Sequence, residues 1–318
     1  MATDRPELRV SGPLSPADSA AVLDLVRRAA EEDGVSPLSE HVMLHLRYGG
    51  DPLARNIVVW QGGKLAGYGH LDPTDPVEGP AGEMVIDPSA RRRGLGLALG
   101  RALVAEAGEA GLRLWAHGDL PAAASLATAA GFTRSRALWQ MRRSLQAPLD
   151  TPRLADGVAV RTFRVGEDEE AWLGVNHRAF AQHPEQGAWT RTDLELREQE
   201  PWFDPDGFFL AAKDNQLIGF HWTKIHGATS QREQSAAAGH EHDAIGEVYV
   251  VGVDPSAQGL GLGRALTLVG LRYLRGRGLS QVMLYVDESN TAAIRLYESL
   301  GFTHWDTDVM FSRAEARH

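Results

Sequence analysis

Residues 87–100 read DPSARRRGLGLALG, and residues 254–267 read DPSAQGLGLGRALT. Nine of the fourteen positions are identical, at a constant offset of 167. A second pair follows in the same order, AAGFTRS at 129–135 and SLGFTHW at 299–305, at an offset of 170. Two ordered matches at nearly equal offsets mark a tandem duplication, and a period this long repeats a whole domain rather than a solenoid unit. The 318 residues suffice for two domains of ordinary size. Between the copies, QAPLDTPRLADG (146–157) carries two prolines, mixed charge and no periodicity, the composition of a linker. The predicted division is 1–146, a linker at 147–157, and 158–318.

Outward from the second glycine-rich stretch the pattern alternates between strand and helix. Strands are predicted at 158–163, 207–213, 216–225, 246–253, 281–286 and 302–311, and helices at 167–181, 190–200, 263–276 and 290–300. Thr190 and Asp193 have capping-box spacing, and Asp214-Asn215 forms the turn of a hairpin. The first copy repeats this order in shorter form. The expected class is α/β of the α+β type, two tandem domains, each a mixed twisted sheet flanked by helices.

Composition excludes several function classes. There is no cysteine, which rules out disulfides, thiolate metal sites and a cysteine nucleophile. With 32 Lys+Arg against 42 Asp+Glu the net charge is −10, unlike the basic surface a nucleic-acid binder needs. The opening MATDRPELRVSG lacks the apolar core of a signal peptide, and no run of 18 apolar residues is present. A cytoplasmic protein with no membrane partner is expected. A monomer is expected as well, because a duplicated chain can form its own pseudo-dimer.

In both copies a strand runs through Asp-Pro into the glycine-rich turn and then into a helix. Helix N-termini offer unpaired N–H groups and a partial positive charge, and glycine lets the backbone approach a phosphate closely. A helix start with incidental glycines is the plainer alternative for either loop alone. The dinucleotide pattern G-x-G-x-x-G and the Walker Gly-Lys-Ser/Thr are both absent from these loops. What the loops contain is R/Q-x-x-G-x-G: Arg91-Arg92-Arg93-Gly94-Leu95-Gly96 and Gln258-Gly259-Leu260-Gly261-Leu262-Gly263. Between a strand and a helix, this resembles the acetyl-CoA pyrophosphate loop of the GNAT N-acetyltransferases, and the downstream strand-helix-strand ending in Gly-Phe resembles that family too.

The resemblance covers essentially the whole chain, and it implies acetyl-CoA as co-substrate and no metal. It places CoA in a cleft where two central parallel strands splay. Met84, Val85 and Ile86 in the first copy, and Val251, Gly252 and Val253 in the second, would offer backbone groups to the pantetheine. Arg92, Arg93, Gly94, Leu95, Gly96 and Leu97 would hold phosphates in the first copy. In the second, Gln258, Gly259, Leu260, Gly261, Leu262, Gly263 and Arg264 would do so, with Asn290, Thr291, Ala292, Ala293, Ile294 and Arg295 along the CoA arm.

Acetyl transfer to an amine needs the amine neutral and the departing thiolate protonated, so a carboxylate base is useful. Glu247 lies six residues before Val253, and simple alternation sets Glu247, Tyr249, Val251 and Val253 on one face. A solvated strand-start carboxylate is the alternative. An offset of 167 sets Pro80 opposite Glu247, and an offset of 170 sets Ala127 opposite Tyr297. Tyr297 shares helical spacing with Ala293, Leu296 and Leu300, which by itself reads as core. The family resemblance instead implies that this tyrosine protonates the CoA sulfur. The second copy is thus expected to catalyse and the first to bind acetyl-CoA without turnover.

The strings PLSEHVMLHLR (37–47), HPEQGAWT (183–190), GFHWTKIH (219–226) and LYVDESNTAAIRLYESLGF (284–302) resemble tandem members of this family that acetylate a cysteinyl-glucosaminyl-inositol. That resemblance implies that Glu40, Glu185, Lys224, Glu247 and Tyr285 contact this small molecule. Another small amine as acceptor, or an acyl-CoA sensor without turnover, are the alternatives. The segment 227–244, GATSQREQSAAAGHEHDA, reads as an insertion whose His240 and His242 are more simply solvated than metal-binding.

Overall fold

In the computed structural model, residues 6–49, 52–74, 79–108, 111–181, 184–226 and 244–313 are described. The strands are β1 (Glu7–Ser11), β2 (Arg55–Gln61), β3 (Lys64–Asp72), β4 (Ala81–Ile86), β5 (Leu112–Ala116), β6 (Thr133–Ser144), β7 (Val158–Thr162), β8 (Phe208–Lys213), β9 (Gln216–His226), β10 (Ile245–Val253), β11 (Gln281–Asp287) and β12 (Thr303–Arg313). The helices are α1 (Pro16–Asp33), α2 (Glu40–Tyr48), α3 (Leu95–Ala107), α4 (Pro121–Ala129), α5 (Glu169–Ala179), α6 (Pro184–Gly187), α7 (Arg191–Glu198), α8 (Leu262–Gly276) and α9 (Thr291–Ser299). Every strand and helix expected in the second copy is present within a few residues of its expected bounds. The short α6 had no periodicity to announce it. Among the described residues no helix is long and apolar enough to cross a membrane.

The chain forms two compact units, residues 1–138 with 306–318, and residues 139–305. In the first unit the strand order is β1-β2-β3-β4-β5-β12, and β12 runs antiparallel to β5 from Val309↔Ala116 to Arg313↔Leu112. In the second the order is β6-β11-β10-β9-β8-β7. These units divide the chain differently from the contiguous pair that the linker marks, because each sheet is closed by a strand distant in sequence. Residues 306–313 close the first, and residues 139–144 close the second.

Each sheet is covered on both faces. In the first unit, Val22, Leu25, Val42 and Leu46 of α1 and α2 pack on Tyr68 and Val85, while Leu95, Leu99 and Leu103 of α3 pack on Ile57, Val59 and Leu71. In the second, α8 supplies Leu268, Leu271 and Leu274 against Val248, Val282 and Leu284. The opposite face holds Trp172 of α5 and Leu194 of α7 against Phe208, Phe220 and Trp222. Local chemistry fixes the ends. Thr190 and Asp193 form the predicted capping box on α7. Asp214 and Asn215 take φ of 50° and 62°, the left-handed pair that a two-residue hairpin requires.

Candidate functional site

The two glycine loops share one backbone design. Asp87 and Asp254 each accept from the N–H and hydroxyl of the serine two residues on. Each is also gripped by an arginine from the unit's leading helix, Arg28 on Asp87 and Arg178 on Asp254. Burial works against the charge on Asp87, but the Ser89 hydrogen bond and then Arg28 outweigh it. At Asp254 the Ser256 hydrogen bond, with Arg178 behind it, does the same, so both carboxyls are held below the usual range. Neither arginine was found from sequence, because the two stand at different offsets and on helix faces without a motif.

Beyond the aspartate the loops turn through left-handed residues at equivalent places, Arg92 (φ 63°) and Gly94 (φ 82°) in one, Gly259 (φ 83°) and Gly261 (φ 69°) in the other. Gly94 and Gly261 are the N-caps of α3 and α8, and neither helix has a side-chain cap hydrogen bond. By contrast Ser15, Ser39, Thr190 and Asn290 cap α1, α2, α7 and α9 with their side chains. The first-turn N–H groups of α3 and α8 therefore remain open to an anion. Of the arginine run, Arg91 is held by Asp33 through two contacts of 2.7 Å, while Arg92 and Arg93 are exposed.

The strands that lead into the loops part from their neighbours. Parallel pairing of β10 with β11 runs from Gly246↔Val282 to Val248↔Leu284 and ends there, although both strands continue. In the first unit, β4 pairs with β5 from Ala81↔Arg113 to Glu83↔Trp115 and ends likewise. Met84-Val85-Ile86 and Val251-Gly252-Val253 are the segments past the last pair. Both units thus contain a wedge between central strands, with open backbone groups on one side and a helix N-terminus at its mouth.

The register of β10 shifts between Val248 and Val250, so Tyr249 is the extra residue of a bulge against β9. This corrects the expected alternation. Gly246 and Val248 face α8; Val251 and Val253 pack on that side too. Glu247, Tyr249, Val250 and Gly252 face the α5 side, where Val250 joins the tryptophan core and Gly252 meets Phe220 and Phe180. The bulge also moves the residue opposite Glu247. In the ladders Lys224 pairs with Glu247 and Asp72 pairs with Ala81, so Ala81, not Pro80, occupies the equivalent place.

Glu247 is buried, at 7% exposure, and its Oε2 lies 2.6 Å from Nε2 of His226. Lys224, its cross-strand neighbour, is also buried, with its ammonium 4.3 Å from the Trp202 ring centroid and 5.1 Å from that of Tyr249. Arg197 of α7 donates to the Tyr249 hydroxyl at 2.8 Å and covers Trp189. Val282, Leu284 and Val286 belong to the α8 face, which turns Tyr285 to the Glu247 face. Tyr285 is exposed there, its hydroxyl accepting from Gln140 at 2.7 Å. Tyr297 packs with the α8-side core, edge-on to Phe302, and burial pushes its phenol up to about 12. Glu247 and Tyr297 therefore stand on opposite faces of a sheet whose strands part just beyond Glu247.

The remaining candidates are placed as follows. Leu260 is exposed and Leu262 is buried against Ala257 and Leu266. Arg264 reaches Ser299 and Asp150, at 2.8 Å each. Asn290 accepts from the Ala293 N–H; Thr291, Ala292 and Arg295 are exposed on α9, and Ile294 is core. Glu40 opens α2 in the first unit. Glu185 falls on α6, and its side chain lies outside the described residues, as do His240 and His242. Among the described residues no group of three metal-ligating side chains comes together.

A further cluster in the first unit had no motif. Glu83 is buried on β4, accepts from the Ser39 N–H at 2.6 Å and lies 3.6 Å from His117 Nε2, whose Nδ1 is 3.0 Å from Asp308. Burial works against the charge on His117, but the two carboxylates outweigh it and push the imidazole up to about 10. Glu83 is held below the ordinary range: its burial is outweighed by His117 and the Ser39 N–H. The charge on His117 is thus balanced by two carboxylates, although its Nε2 has no hydrogen-bond partner.

Comparison with known proteins adds kinship to this geometry. The model of the acetyltransferase (GNAT) family matches residues 21–132 and again 174–302. A protein named mycothiol acetyltransferase from Acidothermus cellulolyticus is 59% identical over 95% of this chain and 93% of its own. One of the same name from Thermobispora bispora is 59% identical over 94% of this chain and 97% of its own. Among solved structures, a tandem GNAT protein from the clavulanic acid biosynthesis pathway superposes with a TM-score of 0.71 at 22% identity, covering 98% of this chain and 100% of its own. At that identity the likeness speaks for the fold.

Proposed function

Since this chain belongs to the acetyltransferase (GNAT) family, whose members use acetyl-CoA, we propose that it acetylates the cysteinyl amine of a cysteinyl-glucosaminyl-inositol, the last step of mycothiol formation. The observation that carries acetyl transfer is the wedge past Val248↔Leu284, with Glu247 on one face and Tyr297 on the other. The acceptor is supported by 59% identity to mycothiol acetyltransferases over nearly the whole chain.

The pyrophosphate rests on the Gln258–Arg264 backbone and the uncapped start of α8, and the pantetheine lies along Val251–Val253. The thioester then reaches the wedge from the α8 side while the acceptor enters from the tryptophan side. Glu247 takes a proton from the ammonium, because only the neutral amine carries the lone pair that attacks the carbonyl. The C–N bond forms, the C–S bond breaks, and Tyr297, a phenol at neutral pH, supplies the sulfur with a proton. The phenolate regains one from the positively charged nitrogen of the new C–N bond, which leaves the amide its single N–H. In this reading Lys224 and Tyr285, on the same face as Glu247, meet acceptor hydroxyls.

The first unit keeps the loop and the wedge, with alanine at both reacting places, Ala81 and Ala127. It binds acetyl-CoA without turnover. The protein works in the cytoplasm as a monomer. CoA release measured with the cysteinyl pseudodisaccharide beside a panel of plain amines tests the acceptor; equal rates across the panel reject it.

A further inference from the structure

We infer that His226 is the positioning residue and proton outlet of Glu247, an inference that rests on the reading of Glu247 as the base. An ammonium acceptor carries three protons on nitrogen; the amide keeps one and the thiol gains one. One proton per turnover must therefore reach water. Glu247 has little contact with water of its own, its side chain being 9% exposed, whereas that of His226 is 36% exposed. The two are joined at 2.6 Å between Oε2 and Nε2. With Glu247 ionised, Nε2 carries the hydrogen of this contact. Once Glu247 takes the amine proton, the ring shifts its own proton to Nδ1 through water, and bare Nε2 accepts the proton from Oε2. The imidazolium then gives a proton to water and returns to neutrality.

The alternative exits are weaker on chemical grounds. On the same face stand Lys224 of β9, Tyr249 of β10, Tyr285 of β11 and Arg197 of α7. Lysine and arginine are already protonated near neutrality, and tyrosine does not accept a proton there. Imidazole is the side chain of this set that has one nitrogen to accept a proton and a second to release one. It also sits at the last residue of β9, Glu247 being cross-strand to Lys224 two residues earlier.

The test uses the full chain with three variants, H226A, H226Q and E247Q. H226A is expected to lose about tenfold in kcat with KM for acetyl-CoA unchanged, and to regain rate when imidazole is added to the buffer. H226Q keeps an amide donor for Oε2 but has no basic nitrogen to relay a proton, so it stays slow and its acidic limb in the kcat–pH profile differs from the wild type. Full activity in H226A, or full rescue by H226Q with no response to imidazole, overturns the inference. An inactive E247Q beside a fully active H226A removes the outlet alone; a fully active E247Q removes the base itself and the outlet with it.

Discussion

The imidazole of His221 fills the space that a side chain at residue 270 would occupy. His221 stands on β9, fully buried, and its Nδ1 is bonded to the Leu266 carbonyl of α8 at 2.7 Å. The helix can lie this close to the sheet because Gly270 has no Cβ. Gly270→Ala is therefore expected to destabilise the second unit by about 3 kcal/mol, as overpacking does where the obstructing ring is buried and tied to the Leu266 carbonyl. Chemical denaturation followed by tryptophan fluorescence measures it, and a change below 1 kcal/mol would contradict it.

The same burial depresses the His221 pKa to about 4, and burial depresses His70 in the first unit to about 4. Both rings fold neutral, and the unfolded chain takes up protons below about 6.5. Stability is thus full above that pH and falls as the pH drops from 6.5 towards 4. His117 has the opposite sign. Its folded pKa of about 10 exceeds the unfolded value, so its contribution is complete below 6.5 and disappears as the pH rises through 10. His117→Gln should flatten the alkaline arm of a stability–pH curve, and an unchanged arm would refute the charge assignment.

Glu247→Gln and Tyr297→Phe each test the chemistry. Either is expected to lower kcat by roughly 10²-fold or more while acetyl-CoA binding, read by calorimetry, stays within a factor of a few. Loss of binding in step with kcat would mean the residues support the fold instead.

Gly261→Val forces a β-branched residue into φ +69° at the N-cap of α8. Nothing lies within 4 Å of a Cβ there, so the backbone alone sets a cost of about 1–2 kcal/mol. Because the loop's N–H groups would turn away from the phosphates, KM for acetyl-CoA should rise. Gly276→Ala, at an open position without positive φ, serves as the neutral control.

Glu198 of α7 has a buried carboxylate oxygen without a hydrogen-bond partner, and burial with the nearby Glu169 pushes it up to about 7. Its ionisation therefore works against folding as the pH rises through the range from 4.5 to 7. Glu198→Gln should stabilise the protein at pH 8 by about 1 kcal/mol, a figure reduced for the group's partial exposure. A lowered midpoint at pH 8 would count against it.

Much of the second unit was legible from residues alone, since its strands and helices have unmixed periodicity and explicit caps. Asp214-Asn215 and Thr190/Asp193 did locally what their chemistry requires. The duplicated loops declared two glycine-capped helix starts, because a left-handed turn before a helix leaves glycine as its trace. His226, Arg28 and Arg178 were not legible, since a partner across strands or between a helix and a loop has no sequence spacing. The face of Val251 was misread because a one-residue bulge reverses every side chain beyond it while leaving the apolar pattern unchanged.

By itself, then, the sequence determined the duplication, the order of elements and the position of the two glycine loops, all of which are written in local residue patterns. Tertiary structure alone decided that residues 306–313 complete the first unit's sheet and that Glu247 looks away from Tyr297. It also decided that a histidine reaches the buried carboxylate, and that Glu83 and His117 neutralise one another. These depend on which strands pair and where pairing stops, a balance of long-range hydrogen bonds and packing that no local pattern encodes.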